Sequence, residues 1–235
     1  MRIFLIMFSC FFLLGGCNDF MPNGQSHTVI DWVDFIKLNG KEYTSIHTGV
    51  IANPKKAGPK IGSVKFKVSG NIHDGHYQSQ NGDAAFLDPG TRIYEVEGYP
   101  NHSVVAVKDA DFINGYKLYY ARADFEDYLW HFKDMPKKAV EKIEIYKVEN
   151  LKSPKQINKI KNNGVKAFLE ILNGGDAKGD YQPNQSSGQP QRYAMVFYTD
   201  EAIAYQYYLR YDDKHYYWSP WSTVVLPDSI QKYLQ

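Results

Sequence analysis

Cysteine is almost missing from this chain of 235 residues: it has two, Cys10 and Cys17, both near the start. Beyond Cys17, a disulfide framework, a cysteine-bound zinc and a cysteine nucleophile are therefore excluded. An excess of either charge is missing as well. Lysine and arginine number 27, aspartate and glutamate 26, and the formal net charge is +1. That balance argues against nucleic-acid binding through a broad basic surface. No apolar run reaches the roughly twenty residues that a membrane-spanning helix needs. The P-loop spacing, G-x-S-x-G and H-E-x-x-H are all absent, so no catalytic residue is assigned and no reaction is named. Aromatic side chains, by contrast, are abundant: 19 Tyr, 13 Phe and 4 Trp. Rings of this kind favour strands.

The N-terminus carries the clearest pattern. Arg2 supplies one positive charge, residues 3–14 are apolar apart from Ser9, and Leu14-Gly15-Gly16-Cys17 follows. A run of this length fits the apolar core of a secretory signal peptide. The tetrad resembles the lipobox of bacterial lipoproteins. That resemblance implies cleavage between Gly16 and Cys17, with Leu14, Gly15 and Gly16 read by the peptidase. It also implies a diacylglyceryl group on the Cys17 thiol. Residues 1–16 would be the signal peptide, and Cys10 would leave with it. Their removal takes away one cation, Arg2, and leaves a chain with no net charge. Attachment would then rest on lipid and not on a basic patch. The implied location is the outer face of the cell membrane. Lysine-rich composition and Asn18 after the cysteine fit a Gram-positive envelope. In a Gram-negative host the outer membrane is the alternative, because aspartate is not at position 18.

Residues 17–29 are polar, contain proline and glycine, and read as a tether. Short strands then follow one another. Residues 33–38 lead into Asn39-Gly40, the strongest two-residue hairpin signal. Further strands are expected at residues 41–44, 61–68, 84–87, 91–96, 103–107 and 116–120, with turns at Asp88-Pro89-Gly90 and Asn114-Gly115. The texture changes near Pro136. Beyond it come strands at residues 142–148 and 156–161, a helix over residues 163–172 capped by Asn163 and ended by Gly174-Gly175, and a polar stretch over residues 174–191. A loop of that length without regular structure is usually functional or disordered. Strands at residues 193–199, 203–211 and 215–218, a turn at Asp212-Asp213-Lys214 and a short helix over residues 228–234 complete the chain.

The expected fold class is α+β and β-rich. A small barrel or sandwich over residues 30–135 precedes an antiparallel sheet with one or two helices over residues 136–235. The run from Phe86 to Val96 is similar to bacterial Src-homology-3-like barrels, which implies a fold and no function. The later half resembles, diffusely, uncharacterised lipoproteins of Bacillus-like bacteria, a group that brings no known activity.

Two polar clusters read as turns. His73-Asp74-Gly75-His76 offers imidazoles and a carboxylate, but no third or fourth ligand is indicated. Asp109-Ala110-Asp111 lacks the glycine and glutamate positions of a calcium loop. No metal or cofactor is assigned. The aromatic strands carry the one positive functional signal. Tyr205, Tyr207, Leu209 and Tyr211 fall on one face of residues 203–211, and Gln206, Tyr208 and Arg210 on the other. Tyr216-Tyr217-Trp218-Ser219-Pro220-Trp221 comes next. Tyr208, Arg210, Trp218 and Trp221 are the candidate ligand-binding residues, for a protein, peptide or glycan of the envelope. Cross-strand aromatic packing is the other reading. The expected function is a membrane-anchored binding or accessory module. The rival is an envelope hydrolase that uses paired carboxylates.

Overall fold

The structure is a computed structural model that describes residues 30–149, 153–186 and 188–235. Leu14, Gly15, Gly16, Cys17 and the tether expected at residues 17–29 lie outside the described residues.

The first half supplies β1 (Phe35–Leu38), β2 (Lys41–Ser45), β3 (Gly49–Ile51), β4 (Ala57–Ser63), β5 (Phe66–Lys67), β6 (Asp83–Ala84), β7 (Arg92–Val96), β8 (Val104–Lys108) and β9 (Tyr116–Ala121). The second half supplies β10 (Lys142–Val148), β11 (Lys155–Lys161), α1 (Asn163–Asn173), β12 (Asp176–Ala177), β13 (Gln191–Tyr198), β14 (Ile203–Tyr211), β15 (Tyr216–Trp218) and β16 (Val224–Leu226). A 3-10 turn at Asp228–Tyr233 follows. The fold is α+β and β-rich, with two sheets, one of them curled into a half-barrel.

Local chemistry explains the turns. Asn39 and Gly40 adopt φ of 50° and 80°, and Asn114 and Gly115 adopt 61° and 74°. At Asn39-Gly40 two successive positive φ values make the type I′ turn of a two-residue hairpin between β1 and β2, and Asn-Gly tolerates them best, whereas Asn114-Gly115 ends the longer loop between β8 and β9. The strand expected at residues 61–68 divides into β4 and β5, and that at 84–87 shortens to β6. The helix begins at Asn163, but Asn162 occupies the cap position at φ 53° and makes no side-chain cap bond.

The first sheet runs β4-β7-β8-β9-β2-β1-β6-β5, and the second runs β11-β10-β13-β14-β15-β16-β12. β5 and β6 pair in parallel. One strand crosses between the halves: β3 pairs with the start of β14, Ile51 opposite Ile203. The approach is close. A Cβ on Gly49 would stand 2.9 Å from methyl carbons of both Ile203 and Ile46.

Burial follows the alternation of the strands. Val105 and Val107 of β8 join Ile36, Tyr43, Ile93 and Tyr119 inside the first sheet. Val104 and Ala106 point the other way, into a larger core with Ile143, Phe168, Met195, Phe197 and Tyr207. The segment between β9 and β10 sends Trp130, Phe132, Met135 and Val140 into that same core. Pro136, where the sequence texture changes, lies within this segment.

Candidate binding cleft

The opposite face of the second sheet is where polar side chains gather. Its registers place Val148 opposite Arg192, Arg192 opposite Arg210 and Arg210 opposite Tyr217. Residues opposite one another in antiparallel strands share a face. A single row, Val148–Arg192–Arg210–Tyr217, therefore crosses β10, β13, β14 and β15. It forms the floor of a cleft of about 730 Å³. Pro183, Gln185, Gln189, Pro190 and Gln191 line the other wall, and Glu149 completes the lining.

The wall is built by one carboxylate. Asp212 is buried at the end of β14. It accepts bonds from the Tyr181 hydroxyl at 2.6 Å and the Asn184 amide at 2.7 Å. The amides of Lys214 and His215 donate to its other oxygen at 3.1 and 2.8 Å. Asn184 Nδ2 also donates to the Asp212 carbonyl at 3.1 Å. Burial pushes the Asp212 carboxyl up. The Tyr181 hydroxyl and the three backbone N–H groups more than offset it and hold the pKa at about 2. The polar stretch after α1 is thus tied to the turn between β14 and β15. Asp212→Ala is expected to speed proteolytic cleavage between residues 178 and 190 about tenfold or more, since freeing several donors costs at least ~1.4 kcal/mol of local opening. An unchanged cleavage rate in limited proteolysis would show that the wall holds without this carboxylate.

The arginines are held differently. Arg192 is exposed and its guanidinium lies over the Tyr208 ring, 4.7 Å from the centroid. Tyr208 accepts a hydrogen bond from Gln206 Nε2 at 2.9 Å. Arg210 is half-buried beside Tyr217. Burial raises the Tyr217 pKa, and the Arg210 charge pulls against it. Ion pairs are formed by many lysines of the chain. Among the described residues none joins Arg192 or Arg210 to a carboxylate.

Of the four residues expected at a binding face, Tyr208 and Arg210 share this side of β14, Arg210 on the cleft and Tyr208 beneath Arg192. Trp218 does not belong there. It pairs opposite Leu209, is 1% exposed, and packs on Phe132 with ring centroids 4.6 Å apart. Alternation sends it inward and brings Tyr217 to the cleft in its place. Trp221 is 86% exposed but packs on His131 and does not line the cleft. Arg192, Tyr217 and the glutamines were not expected. For Tyr217 a signal exists in the turn Asp212-Asp213-Lys214. Once Tyr211 is set opposite Tyr216, Arg210 must face Tyr217.

The cleft offers guanidinium, amide and phenol groups. Its lining holds one carboxylate, Glu149, which lies 3.5 Å from Lys147. A two-carboxylate hydrolase would need a second within about 5–9.5 Å. The buried Glu144 and Asp212 each sit in a separate hydrogen-bonded cluster. His73-Asp74-Gly75-His76 forms a turn in which Asp74 accepts from the His76 amide at 2.9 Å. No group of three or more His, Cys, Asp or Glu stands ready to hold a metal among the described residues. None of the described helices is long and apolar enough to cross a membrane. Comparison with protein-family models, curated proteins and solved structures finds no match for the chain.

Proposed function

We propose that this chain is a lipid-anchored module of the outer face of a bacterial cell membrane, which holds an envelope component in the Arg192–Arg210 cleft. The anchor rests on Leu14-Gly15-Gly16-Cys17 and the apolar run before it. The observation that carries the binding role is the pair of arginines on the floor of a walled cleft, opposite one another and, among the described residues, without a carboxylate partner. Binding sites concentrate polar groups of this kind in concave surfaces. A catalytic role has less to stand on, because the lining offers no carboxylate pair.

Two measurements test the two parts separately. Cys17→Ser is expected to abolish lipid labelling and release from the signal peptide by the lipoprotein route, since two acyl chains supply most of the membrane affinity. Mass spectrometry that finds a mature chain with an unmodified Cys17 would overturn the anchor. Tyr208→Ala with Arg210→Ala is expected to weaken capture of the partner from the native envelope about tenfold or more, the usual loss at a binding hot spot. Unchanged capture would overturn the cleft as the binding surface.

A further inference from the structure

We infer that the ligand of this cleft is an acidic sugar, whose carboxylate or phosphate group sits between Arg192 and Arg210 while the glutamine wall reads its hydroxyls. The inference rests on the binding role proposed above and names its chemistry.

The first support is a conflict within the sheet. Elsewhere on this face, neighbours are complementary. Glu144 faces Lys159, and Nζ of Lys159 lies 3.1 Å from its carboxylate. Lys142 stands opposite Tyr198, and its Nζ lies 3.7 Å from the centre of that ring. Arg192 and Arg210 break that pattern, because like charges directly opposite on adjacent strands are destabilising. Tyr208 relieves part of the conflict by taking the Arg192 guanidinium on its ring. An oxyanion between the two forks would relieve the rest. Guanidinium groups present paired N–H donors that match carboxylate and phosphate oxygens.

The second support is the wall. Gln185 and Gln189 line the wall, and their side-chain amides can both donate and accept. A ligand rich in hydroxyls satisfies such groups, whereas an aliphatic chain would leave them unpaired at a cost. Pro183, Pro190 and Val148 add small apolar patches suited to the C–H faces of a sugar ring. The volume of about 730 Å³ falls in the range of small-ligand sites. Asp212 holds the Tyr181 and Asn184 end of the wall in place before any ligand arrives, which lowers the ordering cost of binding. The anionic group is assigned to the Arg192–Arg210 pair, the two cations that the register sets opposite one another.

The test is calorimetric titration of the full chain in detergent with glucuronate, glucose 6-phosphate, glucose, inorganic phosphate and triglutamate. Glucuronate and glucose 6-phosphate are expected to bind at least tenfold more tightly than glucose, and more tightly than phosphate alone. Their relative strengths decide between the carboxylate and the phosphate source. Arg192→Gln and Arg210→Gln are each expected to weaken binding tenfold or more, and Arg192→Lys, which keeps the charge and loses the fork, at least fivefold. The unliganded variants are expected to melt no lower than the parent, because removing one arginine removes the repulsion. Four results would overturn the inference: glucose binding as tightly as the acids, affinity unchanged in both glutamine variants, triglutamate preferred over the sugars, or a marked fall in the thermal midpoint of the unliganded variants. If the sugars fail while arginine-dependent capture from the envelope persists, the ligand class is wrong and the binding role stands.

Discussion

Trp130→Ala is expected to remove about 3–5 kcal/mol of stability and to lower the thermal midpoint of the whole chain by roughly 10 °C or more in a single transition. Trp130 is 1% exposed. Its indole meets Tyr99, Tyr120, Phe125 and Tyr128 with ring centroids between 5.4 and 6.3 Å. Its carbonyl accepts from the Thr48 hydroxyl at 2.8 Å and from the Tyr207 hydroxyl at 2.6 Å. Thr48 stands just before β3 and Tyr207 lies in the middle of β14, so one residue joins both halves. The alanine variant keeps the carbonyl and loses the rings' common partner. Trp130→Phe is expected to recover more than half of the loss, because most of the packing returns. Calorimetry checks both. Two separated transitions in the parent chain, with only one of them moved by the variant, would show that the shared core does not couple the halves.

Much of this was legible from local pattern. The strand at Ile203–Tyr211 and the inward aim of Tyr205, Tyr207 and Leu209 follow from alternation alone. The Asn39-Gly40 hairpin follows from backbone chemistry that acts over four residues. Non-local pairing was not legible. Nothing in residues 49–51 announces that they will lie against Ile203, and nothing near Trp130 announces that its partners come from four other segments. The cleft was half visible for the same reason. Arg210 could be placed on the outward face of its strand, but Arg192 is its neighbour only through the register of β13. Trp218 faces the core and Tyr217 the cleft, because adjacent residues of a strand point to opposite faces.

Glu144→Gln is expected to cost about 2–3 kcal/mol at neutral pH, the usual loss when hydrogen bonds to a charged group are weakened, and to flatten the acid limb of the stability curve. The carboxylate is 5% exposed on β10. It accepts from Tyr146 Oη at 2.8 Å and lies 2.9 and 3.1 Å from Nζ of Lys142 and Lys159. Burial alone would raise its pKa. The hydrogen bonds from Lys142, Tyr198, Tyr146 and Lys159 outweigh that and hold it at about 2. Tyr198 in turn receives Asn114 Nδ2 at 3.3 Å, and the same amide nitrogen donates to the Ile51 carbonyl at 2.8 Å. The cluster therefore ties the β8–β9 turn to the second sheet on the face away from the large core. The sign of the pH effect follows from the direction of the shift. The folded value lies below the ordinary 4.5, so the contribution is complete above about pH 4.5 and fades as the pH falls towards 2. Asp212, also held at about 2, adds to the same acid limb. Denaturant titrations between pH 2 and 7 should show the parent and Glu144→Gln curves far apart at pH 7 and converging near pH 2. Because Lys142 and Lys159 are 30% and 42% exposed, water takes over part of their charge, which keeps the loss below that of a fully buried pair. Curves that stay parallel across the whole range would mean that Glu144 contributes by packing and not by charge.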